Sequence, residues 1–358
     1  VSAVPPETGE ASTPTAQPSA PTAPPPPPQP TNVVDADEAA IARAVELLRA
    51  GEVVAFPTET VYGLGADASN ANAVAKIFAL KGRPETHPVI VHLGDAGALD
   101  AWAREVPAGA RKLAAAFWPG PLTLILKRAE GVLDTVTGGQ DTVGVRIPSH
   151  PVARELLAAF GGGIAAPSAN KFGRVSPTTA MHVFSDFVHA VPLVLDGGAC
   201  AVGIESTIVD CSAEHARLLR PGGVPAAAIE ATLGEPLAAP DAAAPRAPGS
   251  HTVHYAPRAQ VRLVRRVEML ETLSSHKGRR IGVLALEVSV PRLNQALQRV
   301  VPVVAAQYAH ELYGAFRALD AQNVDVILVE APPQTPAWQA INDRLARAAR
   351  HAAEGETT

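Results

Sequence analysis

Small polar and cationic residues recur at strand ends and turns: Thr58, Thr60, Lys81, Arg83, Arg146, Ser168, Asn170, Ser176, Ser206 and Arg220. Open α/β sheets hold their ligands at such places. Separated arginines together with a lysine can clamp a polyphosphate, because guanidinium forks and ammonium groups match phosphate oxygens. Serine, threonine and asparagine can orient a small polar substrate by hydrogen bonds. Each residue also has a plain structural reading. Ser168 and Asn170 suit turns or N-caps, Thr58 and Thr60 form turns, and Arg220-Pro221-Gly222 suits a turn. Arg146 before Pro148 suits a surface ion pair, and His92 in an apolar run suits a core histidine. Composition and spacing alone therefore support a nucleotide or polyphosphate site and no finer assignment. No Walker A loop, HExxH or GxSxG is present. The histidines are scattered, and Cys200 and Cys211 fit neither a metal spacing nor a disulfide framework, so metal ligands stay unknown.

The stretch from Gly51 to Leu93 must position the first of these groups. A strand-like run, Glu52 to Phe56, leads into the turn Pro57-Thr58-Glu59-Thr60 and then Tyr62-Gly63-Leu64-Gly65. Val74, Ile77, Phe78 and Lys81 follow at helical spacing, which puts Lys81 on the buried stripe. An unpaired buried ammonium is costly, so an anionic partner is expected, unless the lysine snorkels to solvent. Gly82 suits the helix end and Arg83 follows it.

The whole chain has 358 residues and net charge -5, and beyond this stretch it alternates strand and helix patterns. It predicts an α/β fold: a twisted mixed sheet in residues 33–233, then a smaller Rossmann-like α/β unit in 258–358. Residues 1–32 are rich in Pro, Ala, Thr and Ser and read as a disordered, partly polyproline tail. Residues 234–257 read as a linker. Asp35 with Glu38 suggests a capping box before a helix that ends at Gly51. The second unit lacks GxGxxG, so no dinucleotide site is expected. The acidic balance argues against a broad nucleic-acid face. No apolar run reaches membrane-spanning length and no secretory signal pattern opens the sequence, so the expectation is a cytoplasmic protein that does not engage a membrane, with reduced, buried thiols.

Ordered motifs give a sharper reading. FPTETVYGLGADA (Phe56 to Ala68), KIFALKGRP (Lys76 to Pro84), PVIVHL (Pro88 to Leu93), WPGPLTLIL (Trp118 to Leu126), VGVRIPSHP (Val143 to Pro151), APSAN (Ala166 to Asn170), ESTIVD (Glu205 to Asp210), LRPGG (Leu219 to Gly223) and HYAP (His254 to Pro257) occur in sequence. The chain thereby resembles the threonylcarbamoyl-AMP synthase family in its two-domain form, a YrdC-like domain followed by a Rossmann-like one. The resemblance implies synthesis of L-threonylcarbamoyl-AMP and pyrophosphate from L-threonine, bicarbonate or carbon dioxide, and ATP, a nucleotidyl transfer with Mg2+. The product would pass to a downstream threonylcarbamoyl transferase machinery that modifies adenosine in tRNAs reading A-starting codons, so tRNA is an indirect partner. The family's Lys-x-Arg and Ser-x-Asn signature falls on Lys81, Arg83, Ser168 and Asn170, which the resemblance makes the catalytic set. ATP contacts implied by similarity are Arg83, His87, Thr142, Ser168, Ser176, Arg220, His254 and Tyr255; threonine contacts are Thr60, His92, Arg146, Ala166 and Ser206. His87 stands where the family often carries asparagine, and the proline-rich tail lies outside the family pattern. The linker is expected to act as a lid that brings Tyr255 to the nucleotide.

Two other readings compete. An RNA-binding module without catalysis is disfavoured by the acidic balance and the lack of interleaved basic and aromatic residues. Carbamoyl transfer to another acceptor is disfavoured by the lack of zinc-finger-like cysteines.

Overall fold

A computed structural model of the chain describes residues 1, 30–249, 254–286 and 296–355. Most of the expected tail, and residues 250–253 of the expected linker, lie outside the described residues. Ten strands form the first sheet: β1 (Val33–Asp35), β2 (Val54–Phe56), β3 (Gly63–Asp67), β4 (Ile90–His92), β5 (Leu122–Lys127), β6 (Thr142–Arg146), β7 (Ile164–Ala165), β8 (Val194–Asp196), β9 (Thr207–Asp210) and β10 (Arg217–Arg220). Their order is β1-β8-β2-β3-β7-β4-β6-β5-β9-β10, with parallel pairs such as β4/β6 beside antiparallel pairs such as β5/β6. The sheet is mixed, as the uneven interleaving of helices predicts.

Helices α1 (Glu38–Arg49), α2 (Ala71–Lys81), α3 (Leu99–Trp102), α4 (Ala108–Phe117), α5 (Asp134–Thr137), α6 (Pro151–Phe160), α7 (Ala180–Phe187) and α8 (Ala226–Leu233) accompany it. The α1 cap is Asp37, whose carboxylate accepts from the Ala40 amide at 2.8 Å. Asp35 instead ends β1, so the expected capping box is corrected: its carboxylate is two positions too early to reach the first helical amides. Asn32, assigned to the tail from composition, is buried and donates to the Val188 and Val191 carbonyls. The α2 stripe is as expected, with Val74, Ile77, Phe78 and Lys81 buried, and Gly82 closes the helix at φ 64°. Helix α8 was hidden in an alanine-rich run.

The second sheet holds β11 (Gln260–Val264), β12 (Ile281–Leu286), β13 (Ala296–Val301) and β14 (Val326–Glu330) in the order β11-β14-β12-β13, all parallel. Helices α9 (Met269–Ser275), α10 (Ala305–Ala321) and α11 (Gln339–Gly355) belong to this unit. Tyr308, Leu312, Tyr313 and Phe316 of α10 join Ile341 and Leu345 of α11 in one apolar cluster with Tyr255 and Val175. That cluster joins the two sheet units behind the site described next. No helix among the described residues is long and apolar enough to cross a membrane. Cys200 and Cys211 are both buried free thiols, and burial pushes each up to about 12.

Candidate active site

A cavity opens at the ends of β4, β6 and β9. About 550 Å³ of it is free of protein atoms, part of that open to solvent. Thr60, Arg83, His92, Arg146, Ala166, Ser168, Ser206, Arg220, His254 and Tyr255 line it, joined by Thr58 and Glu205. Residues more than 190 positions apart in sequence thus meet in one place.

Two poles can be told apart. At the first, β4 and β6 run in parallel and their register sets His92 beside Arg146. The Arg146 guanidinium donates to Thr60 Oγ1 at 2.9 Å, to Glu59 Oε1 at 2.5 Å and to the Gly120 carbonyl at 3.2 Å. Thr60 Oγ1 lies 2.8 Å from Thr58 Oγ1, and Ser206 Oγ lies 2.8 Å from Thr123 Oγ1. The surface ion pair that sequence allows for Arg146 is corrected: its side chain is 4% exposed, held by the turn after β2. Burial and Arg146 together press His92 down to about 3, so the imidazole is neutral.

At the second pole stand Arg83 and Arg220. Arg83 donates to the Pro88 carbonyl at 2.7 Å and lies 6.0 Å from the Phe172 ring centroid. Arg220 donates to the Ser206 carbonyl at 2.9 Å and the Pro248 carbonyl at 2.9 Å. Both are buried, and among the described residues neither forms an ion pair with a carboxylate. Burial lowers Arg83 to about 10, which leaves it charged at neutral pH. Four buried polar atoms of lining residues have no hydrogen-bond partner among the described residues: Arg83 Nε, His92 Nδ1, His254 Nδ1 and Tyr255 Oη. Buried groups are nearly always paired, so this clustering marks a place built for a polar ligand. Burial holds His254 neutral, and Tyr255 sits at φ 62°, a costly backbone for a bulky residue.

Not every expected residue faces the cavity. Lys81 is buried behind its wall and donates to the Ser168 and Asn170 carbonyls, each at 2.5 Å. Its partners are therefore two backbone oxygens in place of the expected anion, and it pins the turn that presents Ser168. Asn170 pins the same turn through the Lys171 and Arg174 carbonyls. Ser176 is buried and donates to Glu205 Oε1 at 2.6 Å. His87 packs against Phe172, 5.4 Å between centroids, one ring away from Arg83. Thr142 stands at the opposite end of β6 from Arg146, about 13 Å away at strand rise, and does not line the cavity. The flanks of the expected lid wall the second pole through Pro248, Gly249, His254 and Tyr255. Sequence reasoning did not single out Glu59 or Glu205, although both sit inside quoted motifs.

Residues 46–222 match the family described as Telomere recombination (Sua5, YciO, YrdC), and residues 224–350 match the threonylcarbamoyl-AMP synthase C-terminal domain. A Pyrococcus abyssi threonylcarbamoyl-AMP synthase is 40% identical over 331 residues, spanning 87% of this chain and 94% of the relative. The chain belongs to the threonylcarbamoyl-AMP synthase family. A Bacillus subtilis threonylcarbamoyl-AMP synthase is 40% identical over 335 residues, covering 89% of this chain and 95% of that one. Among solved structures, P. abyssi Sua5 complexed with L-threonine superposes with a TM-score of 0.83 at 38% identity, covering 90% of this chain and 98% of that chain.

Proposed function

We propose that this chain is an L-threonylcarbamoyladenylate synthase whose cavity holds L-threonine at the Arg146 pole and the ATP phosphates between Arg83 and Arg220. The observation that carries the reading is the charge arrangement. Arg146 is already paired with Glu59, whereas Arg83 donates to a carbonyl and Arg220 to carbonyls and the Ser206 hydroxyl, neutral partners that leave both charges for an anion. The related structure with bound L-threonine supports the amino-acid half.

The threonine amine takes up carbon dioxide to give a carbamate and a proton. A carbamate oxygen then attacks the α-phosphorus, the bond to the β-phosphate oxygen breaks, and pyrophosphate leaves: a nucleotidyl transfer. Charge builds on phosphoryl oxygens, so fixed buried cations are the main catalytic need. Arg83 and Arg220 supply them, Ser168 adds a hydroxyl, and Lys81 and Asn170 hold Ser168 in place. No enzyme nucleophile is required. Thr60, Ser206 and neutral His92 offer hydrogen bonds to the amino acid. Burial of both poles keeps water from the mixed anhydride.

Among the described residues no group of three or more His, Cys, Asp or Glu could cage a metal ion. Glu205, the carboxylate on the cavity wall, already accepts three side-chain donors. These residues fit magnesium arriving on the triphosphate, held mainly by phosphate oxygens. The same reading assigns residues 33–233 to catalysis, 234–257 to a connecting segment over the nucleotide, and 258–358 to a supporting domain. It also implies a cytoplasmic reaction feeding a threonylcarbamoyl transfer to tRNA.

The test is pyrophosphate release from ATP by the full chain. Release that requires both threonine and bicarbonate supports the proposal; release indifferent to threonine, or none, rejects it.

A further inference from the structure

The strongest cluster that this mechanism leaves unused lies where α10 and α11 meet the cavity wall. Glu205 lines the cavity and is 6% exposed. Its Oε1 accepts from Ser176 Oγ at 2.6 Å. Its Oε2 accepts from the Tyr313 hydroxyl at 2.9 Å and from Arg344 Nε at 2.7 Å. Tyr313 comes from α10 and Arg344 from α11, so both donors belong to the second sheet's unit. The same pair holds a second lining residue. The Tyr313 ring stacks on Tyr255 at 5.9 Å and 25°, and the Arg344 guanidinium carbon lies 4.9 Å from the Tyr255 ring centroid. Arg344 is 1% exposed, which is rare for an arginine without a specific task.

The charge balance says what the task is. An ionised carboxylate on the wall of a triphosphate site repels its ligand, and low dielectric strengthens the repulsion. Burial raises the Glu205 carboxyl, but Arg344, Arg220 and Ser176 outweigh it and hold it at about 2, so the charge is present at neutral pH. Of the two cations that act on it, Arg344 is the one hydrogen-bonded to it, and Arg344 also pairs with Asp343 at 2.7 Å.

We infer that Arg344 and Tyr313 are positioning residues for the nucleotide: Arg344 neutralises Glu205 so that the triphosphate meets Arg83 and Arg220 without a facing negative charge, and the two together fix the Tyr255 ring on the cavity wall. The inference rests on the ATP reading above. It makes the second sheet's unit a part of the nucleotide site through defined atoms.

The test uses the full-length protein and compares wild type, Arg344→Met, Tyr313→Phe and the double variant Arg344→Met with Glu205→Gln. Arg344→Met should raise KM for ATP about tenfold or more, since it strands a buried charge facing the ligand. KM for threonine should move by less than about threefold, because Arg344 touches nothing at the Arg146 pole. The double variant should recover KM for ATP to within about threefold of wild type, because the stranded charge is gone. Tyr313→Phe should give an intermediate rise. A merely structural arginine would lower kcat or melting temperature without that split, and removing the carboxylate charge would rescue nothing; either result overturns the inference. If Arg344→Met does not fold, Arg344→Gln and its pair with Glu205→Gln carry the comparison through calorimetric ATP binding without threonine. Equal ATP affinity in wild type and Arg344→Gln would then overturn it. A wild type that releases no pyrophosphate with threonine would sink the function reading itself, whereas an active wild type with an unmoved ATP KM in the variant sinks this inference alone.

Discussion

Arg83 and Lys81 are neighbours in one motif yet do different work, and the difference is measurable. Arg83 lines the cavity with an unpaired Nε, so Arg83→Ala removes a phosphate cation and should cut kcat/KM at least about tenfold with little change in melting temperature. Lys81→Met instead strands two buried carbonyls, at about 1–3 kcal/mol each. It should lower the melting temperature and activity together; a full-activity, wild-type-stability Lys81→Met would contradict the pinning role. Titration gives a further expectation. His92 is held at about 3 and His182 at about 4 by burial, both below the ordinary histidine range. The unfolded chain therefore binds protons that the fold does not as pH drops from about 6.5 to 4. Stability should decline across that window. Glu205, held at about 2, extends the loss below about 4.5, because its stabilisation is present above the unfolded value and fades toward the folded one. A melting temperature flat from pH 7 to 4 would contradict these assignments.

Elements place these side chains by close backbone approach as much as by hydrogen bonds. A Cβ at Gly222 would come within 2.4 Å of the Glu205–Thr207 backbone, so the turn after β10 packs directly on the cavity wall. Gly222→Ala should push that wall, costing about 1–3 kcal/mol and raising KM for both substrates; unchanged thermal melting would show the wall is softer than this packing implies. What could be read from sequence divides along the same line. The α2 stripe, the Gly82 cap and the Pro151 helix start are local, and periodicity and turn chemistry expose them. The partners of Lys81 are not local: they are carbonyls 87 and 89 residues away, and no spacing rule reaches that far. Glu205 read as one more motif residue because its donors Tyr313 and Arg344 lie 108 and 139 residues on. The α8 helix, within residues 33–233, is not recognised from sequence because alanine and proline content masks a short helix with a single buried residue, Ile229. The motif resemblance named most of the lining residues, but not which of them face the cavity.

At the scale of the whole chain, the second sheet's unit is attached through buried polar contacts as well as an apolar cluster. Arg317 of α10 pairs with Asp186 of α7 at 2.7 Å and also donates to the Val175 carbonyl. Arg317→Ala should therefore loosen the wall at Ser176 and raise KM for ATP without touching any substrate. Removal of residues 234–358 should abolish turnover, since it deletes His254, Tyr255, Tyr313 and Arg344 together; turnover equal to the full chain would show the first sheet suffices alone. The central claim is that one cavity holds a triphosphate between two arginines that pair with no carboxylate among the described residues, and an amino acid beside one that pairs with Glu59. A crystal structure with bound ATP and L-threonine tests it most directly. The account expects phosphate oxygens within hydrogen-bonding distance of both Arg83 and Arg220, with threonine against Thr60 and Arg146. A nucleotide bound at the second sheet, or anywhere that leaves Arg83 and Arg220 untouched, would contradict it.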